Sequence, residues 1–402
     1  MRETLEIDQG IPAKVLWVLT IVAGVSVANL YYNQPLLNMI RIELGVTEFQ
    51  ANLISMITQI GYAVGLFFIV PLGDLIKRRN IVLINFILLI ISLIIIGLSQ
   101  SLLVLLIASF VTGVCSIVPQ IFVPIAAQYS IPKNKGRNIG IIISGLLTGI
   151  LASRVFSGLV GEYLGWRAVF FIAAIFMVIS TIVILMVLPE TKPTFKGNYK
   201  NLMRSIVSLM AKYPHLLVYS SRAALAFGSF LAMWSTLAFK MRLAPFHAGS
   251  NIVGMLGLCG IAGALSASFI GKYVKQVGVR RFNIVGCIFM LVAWSMLVLG
   301  ENSYLIIILG IILLDVGMQC MQLSNQTSVF EIAPDASSRI NTIFMTTYFI
   351  GGSLGTLMAG IAWKIDQWHG VAFSGMFLIL CSLLVTIIER AVSNNKKGLT
   401  RF

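Results

Sequence analysis

The sequence predicts an all-α polytopic membrane protein whose twelve crossing helices form two six-helix, pseudo-symmetric halves, and three observations lead there. Of the 402 residues, 58% are hydrophobic and only 11% are charged, whereas an ordinary soluble domain carries about 25% charged residues. The apolar residues number roughly 233, and at about 20 residues per bilayer crossing they supply on the order of 12 helices. The chain also overlays on itself at one offset of 202 residues, almost half its length.

Polar breaks cut the chain into apolar spans near 15–35, 50–72, 80–98, 102–128, 138–160, 168–188, 216–238, 251–271, 283–300, 303–329, 341–362 and 371–389. The third and fourth spans come from one run, Ile81 to Pro132, that holds 52 residues without a charge. That is about twice what one crossing needs, so the run divides at Ser99-Gln100-Ser101. Before the first span, Met1 to Asp8 carries Glu3, Glu6 and Asp8, which is wrong for the basic start of a secretory signal; the first span is therefore expected to stay in the mature protein. The longest polar stretch, Pro189 to Lys212, is too short for a folded domain of its own, which excludes an enzyme on a single anchor. It reads as a cytoplasmic connector with a short amphipathic piece, carrying Lys192, Lys196, Lys200, Arg204 and Lys212. The expected division is 1–188, a first half; 189–215, the linker; and 216–402, a second half. The five cysteines all lie inside apolar runs, where thiols behave as small buried hydrophobes, so neither a disulfide framework nor a metal site is expected.

A net charge of +15 raises the question of nucleic acid, and the placement of the basic residues answers it. With the N-terminus in the cytoplasm, inner segments hold 22 Lys and Arg and outer segments hold 5, while Arg154 and Arg222 fall within spans. This is the positive-inside asymmetry of a membrane protein with both termini cytoplasmic, with some residual attraction to anionic lipid. No soluble face interleaves basic and aromatic residues as nucleic-acid binding requires. Arg222, near the inner end of the seventh span, is expected to snorkel, and Arg154 either to snorkel or to reach Asp315. His215, His247 and His369 are read as loop residues without metal-ligand spacing.

The 202-residue offset pairs Gly61 with Gly263, Arg78 with Arg280, Arg79 with Arg281, Gln120 with Gln322, Pro132 with Pro334, Gly149 with Gly351, Gly158 with Gly360 and Trp166 with Trp368. Parallel halves of this kind are a transporter architecture, with the site at their interface near the bilayer midplane. One carboxylate falls well inside a span. Asp315 lies about 16 Å from the outer end of the tenth span at 1.5 Å per residue. A charge there costs about 2.5–3.5 kcal/mol, so such residues line cavities and work. Asp315 is the candidate proton carrier, and its repeat partner is Gly113. Asp315, Gln319, Gln322 and Gln326 fall on one helical stripe. Similar stripes join Ser26, Asn29 and Asn33 on the first span, Ser55, Gln59 and Tyr62 on the second, and Ser109, Ser116 and Gln120 on the fourth. Trp234 and Tyr348 offer aromatic walls. The candidate substrate contacts are Asn29, Tyr32, Asn33, Gln59, Gln120, Trp234, Gln319, Gln322 and Gln326; any single amide also serves as interhelical packing.

The loop after the second span, Gly73-Asp74-Leu75-Ile76-Lys77-Arg78-Arg79, resembles the G-x-x-x-D-[RK]-x-G-[RK]-[RK] signature of the major facilitator superfamily. Asp74, Arg78 and Arg79 match; Val70, Leu75 and Lys77 depart from it. The fifth span carries Gly140, Gly149, Ser153-Arg154 and Ser157-Gly158, similar to the antiporter motif G-x8-G-x3-G-P-x2-G-G of the drug:proton antiporters, with Arg154 where the motif has proline. Segments such as Asn29 to Pro35, Val118 to Gln120 and Leu314 to Gln319 look most like the bacterial efflux branch that includes sugar and nucleoside exporters. The likeness extends over essentially the whole chain. It implies the major facilitator fold, a cavity lined by the first, fourth, seventh and tenth spans, and conformational roles for Asp74, Arg78, Arg79, Gly140, Gly149, Ser153, Gly158, Gly351 and Gly355. Gly149 and Gly158 are expected to pack the fifth span against the eighth, and Gly351 and Gly355 to pack the eleventh against the second. The fourth span has Ser109, four residues before Gly113, where many members place a relay arginine, so that relay does not carry over.

The resulting expectation is a secondary transporter in the plasma membrane, the inner membrane of a bacterium, that exports a drug-like, nucleoside or sugar-like molecule in exchange for protons. Its partners are that small molecule, protons and membrane lipid, with Asp315 and Arg154 as proton-coupling residues. It acts as a monomer without nucleic acid or a cofactor. The alternative is a proton symporter or facilitator for a sugar or other small polar metabolite. A membrane enzyme is disfavoured because the chain has no G-x-x-x-x-G-K-[ST] loop and no H-E-x-x-H.

Overall fold

In a computed structural model of the chain, the described residues are 5–191, 197–332 and 336–399. Glu3, Lys192, Lys196 and Pro334, used above, lie outside them. Within the described residues fifteen α-helices follow in order: α1 Ala13–Ala28, α2 Leu37–Leu44, α3 Glu48–Phe68, α4 Arg78–Leu98, α5 Leu102–Cys115, α6 Pro119–Tyr129, α7 Lys135–Leu164 and α8 Trp166–Val187. After the linker come α9 Tyr199–Lys212, α10 Pro214–Arg242, α11 Ser250–Leu256, α12 Gly260–Val277, α13 Val279–Leu299, α14 Tyr304–Ile332 and α15 Ser337–Leu399. Among the described residues, ten helical stretches are long and apolar enough to cross a membrane. The last of them, Ser338–Glu389, is two helices merged across Asp366 and Gln367, where φ is −146° and +42°. With the shorter apolar α1, these account for the twelve spans read from the sequence.

The uncharged 52-residue run turns where its small polar residues stand. α4 stops at Leu98 and α5 starts at Leu102, with Ser99 and Ser101 both extended and the Ser99 hydroxyl donating to the Ser101 carbonyl at 2.9 Å. The first span differs from expectation. It is helical only to Ala28, because residues 29–33 are turns and a 3-10 turn at Gln34–Leu36 leads into α2. Asn29 ends α1 by donating its side-chain N–H2 back to the carbonyls of Val25 and Ser26. The fourth span is likewise broken, between Cys115 and Pro119, the proline taking the first helical turn of α6, where its missing N–H costs nothing. On α4, Ile84, Ile87, Leu88, Ile91, Ile95 and Leu98 are all exposed at spacings of three and four. An apolar ridge of this kind faces lipid rather than water.

The chain divides into two compact units. The first takes residues up to Ile206 together with Met241–Leu243 and His247–Leu258, and the second takes the remainder. Within the first, Gly24 of α1 faces Gly145 and Gly149 of α7 so closely that a Cβ on any of them would overlap the opposing backbone. Gly158 of α7 meets Ser250 and Gly254 of α11 in the same way. Within the second, Gly351 and Gly355 of α15 pack on Ala224 and Gly228 of α10. This is small-residue helix packing, in which missing side chains let backbones approach. The buried indoles of Trp166 and Trp368, related by the 202-residue offset, each begin a final span and each donate a hydrogen bond, to Glu43 at 2.6 Å and to the Leu297 carbonyl at 2.9 Å.

The ionic residues of the spans correct the sequence reading. Arg222 does not snorkel: it is 0% exposed and donates to Glu389, to which His215 also turns its Nδ1 at 3.6 Å. His215 and His369 are helical, in α10 and α15, because polar turns extend those helices beyond the apolar windows; His247 lies in a loop as expected. At the other end of the second unit, Lys240, 4% exposed, pairs with Glu301 at 2.6 Å, and His369 stands 3.8 Å from the same carboxylate. Removing one partner of a buried pair strands the other charge, which costs about 3–5 kcal/mol when both are fully buried. Because the Glu389 side chain is 20% exposed, Glu389→Gln is expected to destabilise by about 2 kcal/mol. The double variant Arg222→Met with Glu389→Met should recover most of that loss. Thermal unfolding of the purified protein checks both.

Candidate functional site

In the first unit the predicted polar stripes gather around the broken first span. The Asn33 carboxamide accepts the Ser55 hydroxyl of α3 at 2.6 Å. Asn29 and Ser26 lie one and two turns before Asn33 in the sequence, and Gln59 and Tyr62 one and two turns after Ser55 on α3; all four are buried. Tyr62 and Gln120 of α6 hydrogen-bond through their side chains, joining the stripe of the fourth span to this group. Tyr32 turns the other way and packs its ring on Phe156 of α7, with centroids 5.7 Å apart. Arg154 is 2% exposed and does not snorkel. Its Nε donates to the Gln34 Oε1 at 3.0 Å, and its guanidinium lies 5.5 Å from the Tyr31 ring centroid. Gln34 and Tyr31 were missed by the sequence reading. The signal was available, since a charge inside a span demands an acceptor and Gln34 sits beside Asn33.

In the second unit Asp315 lies midway along α14 and is 6% exposed. It packs on Gly263 of α12, whose missing side chain makes room for it: a Cβ there would lie 3.0 Å from the Asp315 Cβ. The first unit repeats this packing with the roles changed, for Gly61 and Gly113, the counterparts at the 202-residue offset, bring α3 and α5 backbone to backbone. Further along the Asp315 stripe, Gln322 accepts the Tyr348 hydroxyl at 3.0 Å and Gln326 donates to Asn341 at 3.2 Å, while Gln319 is half-buried. Tyr348 stacks on Phe227 of α10 at 3.9 Å, and Trp234 packs on Phe230 at 6.3 Å, giving an aromatic wall on α10 and α15. Behind the stripe, the fully buried Asn325 donates to Asn283 of α13 at 2.8 Å and holds α14 in place. None of the predicted residues lines the open cleft of about 420 Å³ between His215, Tyr219, Gly278, Ser328 and Glu331.

The loop from Gly73 to Arg79 is built into the first unit, and its arginines are not solvated. Arg78 and Arg79 are 6% and 7% exposed. Arg78 donates its Nε to the Gly73 carbonyl at 3.2 Å and stands 3.5 Å from Asp74, while Arg79 donates to the Leu185 carbonyl at 2.8 Å. That carbonyl belongs to the last turn of α8, where a cation is favoured. Among the glycine-motif residues, Gly158 packs on α11 as expected of the eighth span, but Gly149 packs on α1. The partner of Gly351 and Gly355 is α10, the seventh span, where the second had been expected. Gly140 meets nothing within 4 Å and makes no close contact. Ser153 is buried and returns its hydroxyl to the Ile150 carbonyl of its own helix at 2.7 Å.

Relatives and solved structures bear on the fold and the family. The chain is 35% identical over 374 residues to the uncharacterized transporter YgaY of Escherichia coli O157:H7, covering 93% of this chain and 95% of that one. Among solved structures it is similar to the nucleoside transporter NupG, with a TM-score of 0.75 at 12% identity over 94% of this chain and 99% of that one. It is also similar to a bacterial homologue of the human lysosomal transporter Spinster in an inward-facing, unoccupied conformation, with a TM-score of 0.71 at 15% identity over 94% and 96% of the two chains. The all-helical, multi-pass architecture is that of the major facilitator fold. The sequence profile of the Major Facilitator Superfamily matches residues 16–356, and the chain belongs to that family of membrane transporters.

Proposed function

We propose that this transporter exports a small organic molecule across the plasma membrane of a bacterium, in exchange for protons and by alternating access. The observation that carries the reading is Asp315, a carboxylate 6% exposed in the middle of an apolar helix, where an acid is costly and is kept for work. The carboxylate takes a proton from one side and gives it up on the other, while substrate occupies the amide-lined site in exchange. Each unit charge moved across 100 mV supplies about 2.3 kcal/mol, enough to concentrate a neutral substrate well over tenfold. The excess of 22 inner over 5 outer basic residues supports cytoplasmic termini, with 1–188 and 216–402 as the two halves joined by the 189–215 linker. The protein acts as a monomer in this reading.

Proteoliposomes loaded with a pH-reporting dye test the exchange. Addition of drugs, nucleosides and sugars in turn should start a proton flux opposite to that of one of these compounds. Substrate movement with no proton flux leaves a facilitator, and flux in the same direction leaves a symporter; either result overturns antiport.

A further inference from the structure

An amphipathic helix resting on a protein in water shows two faces, one apolar and inward, one polar and outward. The linker helix α9, 14 residues long, shows three. Leu202 and Ile206, one turn apart, are 0% exposed and face the protein. Beside them round the helix runs a second apolar stripe, Tyr199, Met203, Val207 and Met210, at spacings of four, four and three. Val207 is 55% exposed, Tyr199 is exposed and the two methionines are half-buried. Lys200 and Arg204, both exposed, border this second stripe on its far side. No Asp or Glu occurs in the sequence between Glu190 and Glu301, so α9 has no nearby acid of its own to set against them.

The two ends of α9 set its height. At the start, the Tyr199 hydroxyl donates to the Phe68 carbonyl at 3.0 Å, and Phe68, an exposed apolar residue, ends the span α3. At the finish, Tyr213 alone separates Lys212 from Pro214, which begins the span α10. Both ends stand where a crossing stops or starts, so about 21 Å of helix, at 1.5 Å per residue, runs along the membrane boundary and not away from it. Water is a poor cover for the second stripe, whereas the zone between headgroups and acyl chains accepts such a flank, and tyrosine suits that depth. Lys200 and Arg204 then fall at the level of the phosphates, where an anionic leaflet attracts them. A second copy of the chain fits less well, because α9 against α9 sets like charges together. We propose that α9 docks on the bilayer surface, with Tyr199, Met203, Val207 and Met210 at the acyl boundary and Lys200 and Arg204 on anionic phospholipid headgroups. Only the choice of the inner leaflet rests on the topology in the reading above.

The full chain reconstituted in vesicles tests this, with an environment-sensitive fluorophore attached at Val207→Cys or, on the polar face, at Asn201→Cys; wild type gives the background from the native thiols. In vesicles containing phosphatidylglycerol, the label at 207 is expected to emit at shorter wavelength than the label at 201 and to be quenched by lipid carrying a nitroxide just below its headgroup. The label at 201 should do neither. One basic residue at an anionic surface is worth about a fivefold preference, so Lys200→Gln with Arg204→Gln should cut the excess quenching in phosphatidylglycerol over pure phosphatidylcholine vesicles at least fivefold. A label at 207 that emits as in water overturns the proposal. So does one that is shielded yet not quenched by the nitroxide lipid, as a protein cover would leave it, and so does equal quenching in both lipids that survives the double substitution. Both leaflets of a vesicle carry the lipid, so the outcome does not depend on which face is cytoplasmic, and it involves no transport. Docking without proton flux keeps this inference and removes antiport, whereas proton flux without docking does the reverse.

Discussion

Gly149→Leu is expected to leave little folded protein in the membrane and no transport, while Gly140→Leu, nine residues earlier on the same helix, behaves as wild type. The difference lies in what a side chain would meet. At Gly149 the first added carbon already overlaps the backbone of Gly24 on α1, whereas at Gly140 nothing stands within 4 Å. Overfilling a packed contact costs about 1–3 kcal/mol when neighbouring side chains can shift. A backbone carbonyl has no rotamer to change, so the cost at Gly149 lies at or above the top of that range. Gly355→Leu meets the Gly228 backbone on α10 and should fail in the same way. Size-exclusion profiles of tagged protein, read beside transport rates, check all three variants. Wild-type rates in Gly149→Leu would remove the packing argument.

Asp315→Asn is expected to fold, to exchange substrate down its gradient and to lose uphill transport entirely. Asparagine has the same shape, so the contact with Gly263 of α12 survives, but the amide cannot take up a proton. The accumulation ratio at 100 mV should drop from well over tenfold, the yield of about 2.3 kcal/mol per charge, to unity. Counterflow measured beside gradient-driven transport separates the two activities. Full gradient-driven accumulation in the variant would strip Asp315 of any coupling role.

The spans were legible in the sequence because lipid imposes a length and a hydropathy on every crossing, and the turn at Ser99 to Ser101 was legible because one helix cannot use 52 apolar residues. The interruption at Asn29 to Asn33 was not, since Leu30, Tyr31 and Tyr32 continue the apolar run and a broken helix has the same composition as a whole one. Partners distant in sequence were equally hidden. Nothing local says that Gly149 meets Gly24, or that Arg222 meets Glu389, 167 residues away. The helical state of His215 and His369 was lost because hydropathy marks the part of a helix in lipid, and polar end turns fall outside it. The amide stripes were readable from spacings of three and four. Gln34 escaped because it lies just past Asn33, the last residue of the first-span stripe; the need of Arg154 for an acceptor was readable, but which amide 120 residues away meets it was not.

The interruption in the first crossing has a mechanical consequence. α1 is clamped along α7 by glycine contacts, and α2 leans on α3, yet from Leu30 to Leu36 the backbone is closed mainly by i→i−3 turns in place of the α-helical i→i−4 ladder. Torque applied to α2 is taken up by this knuckle instead of being passed along a stiff rod. α2 is free to swing while α1 stays moored to α7, with the Asn29 and Asn33 side chains at the pivot.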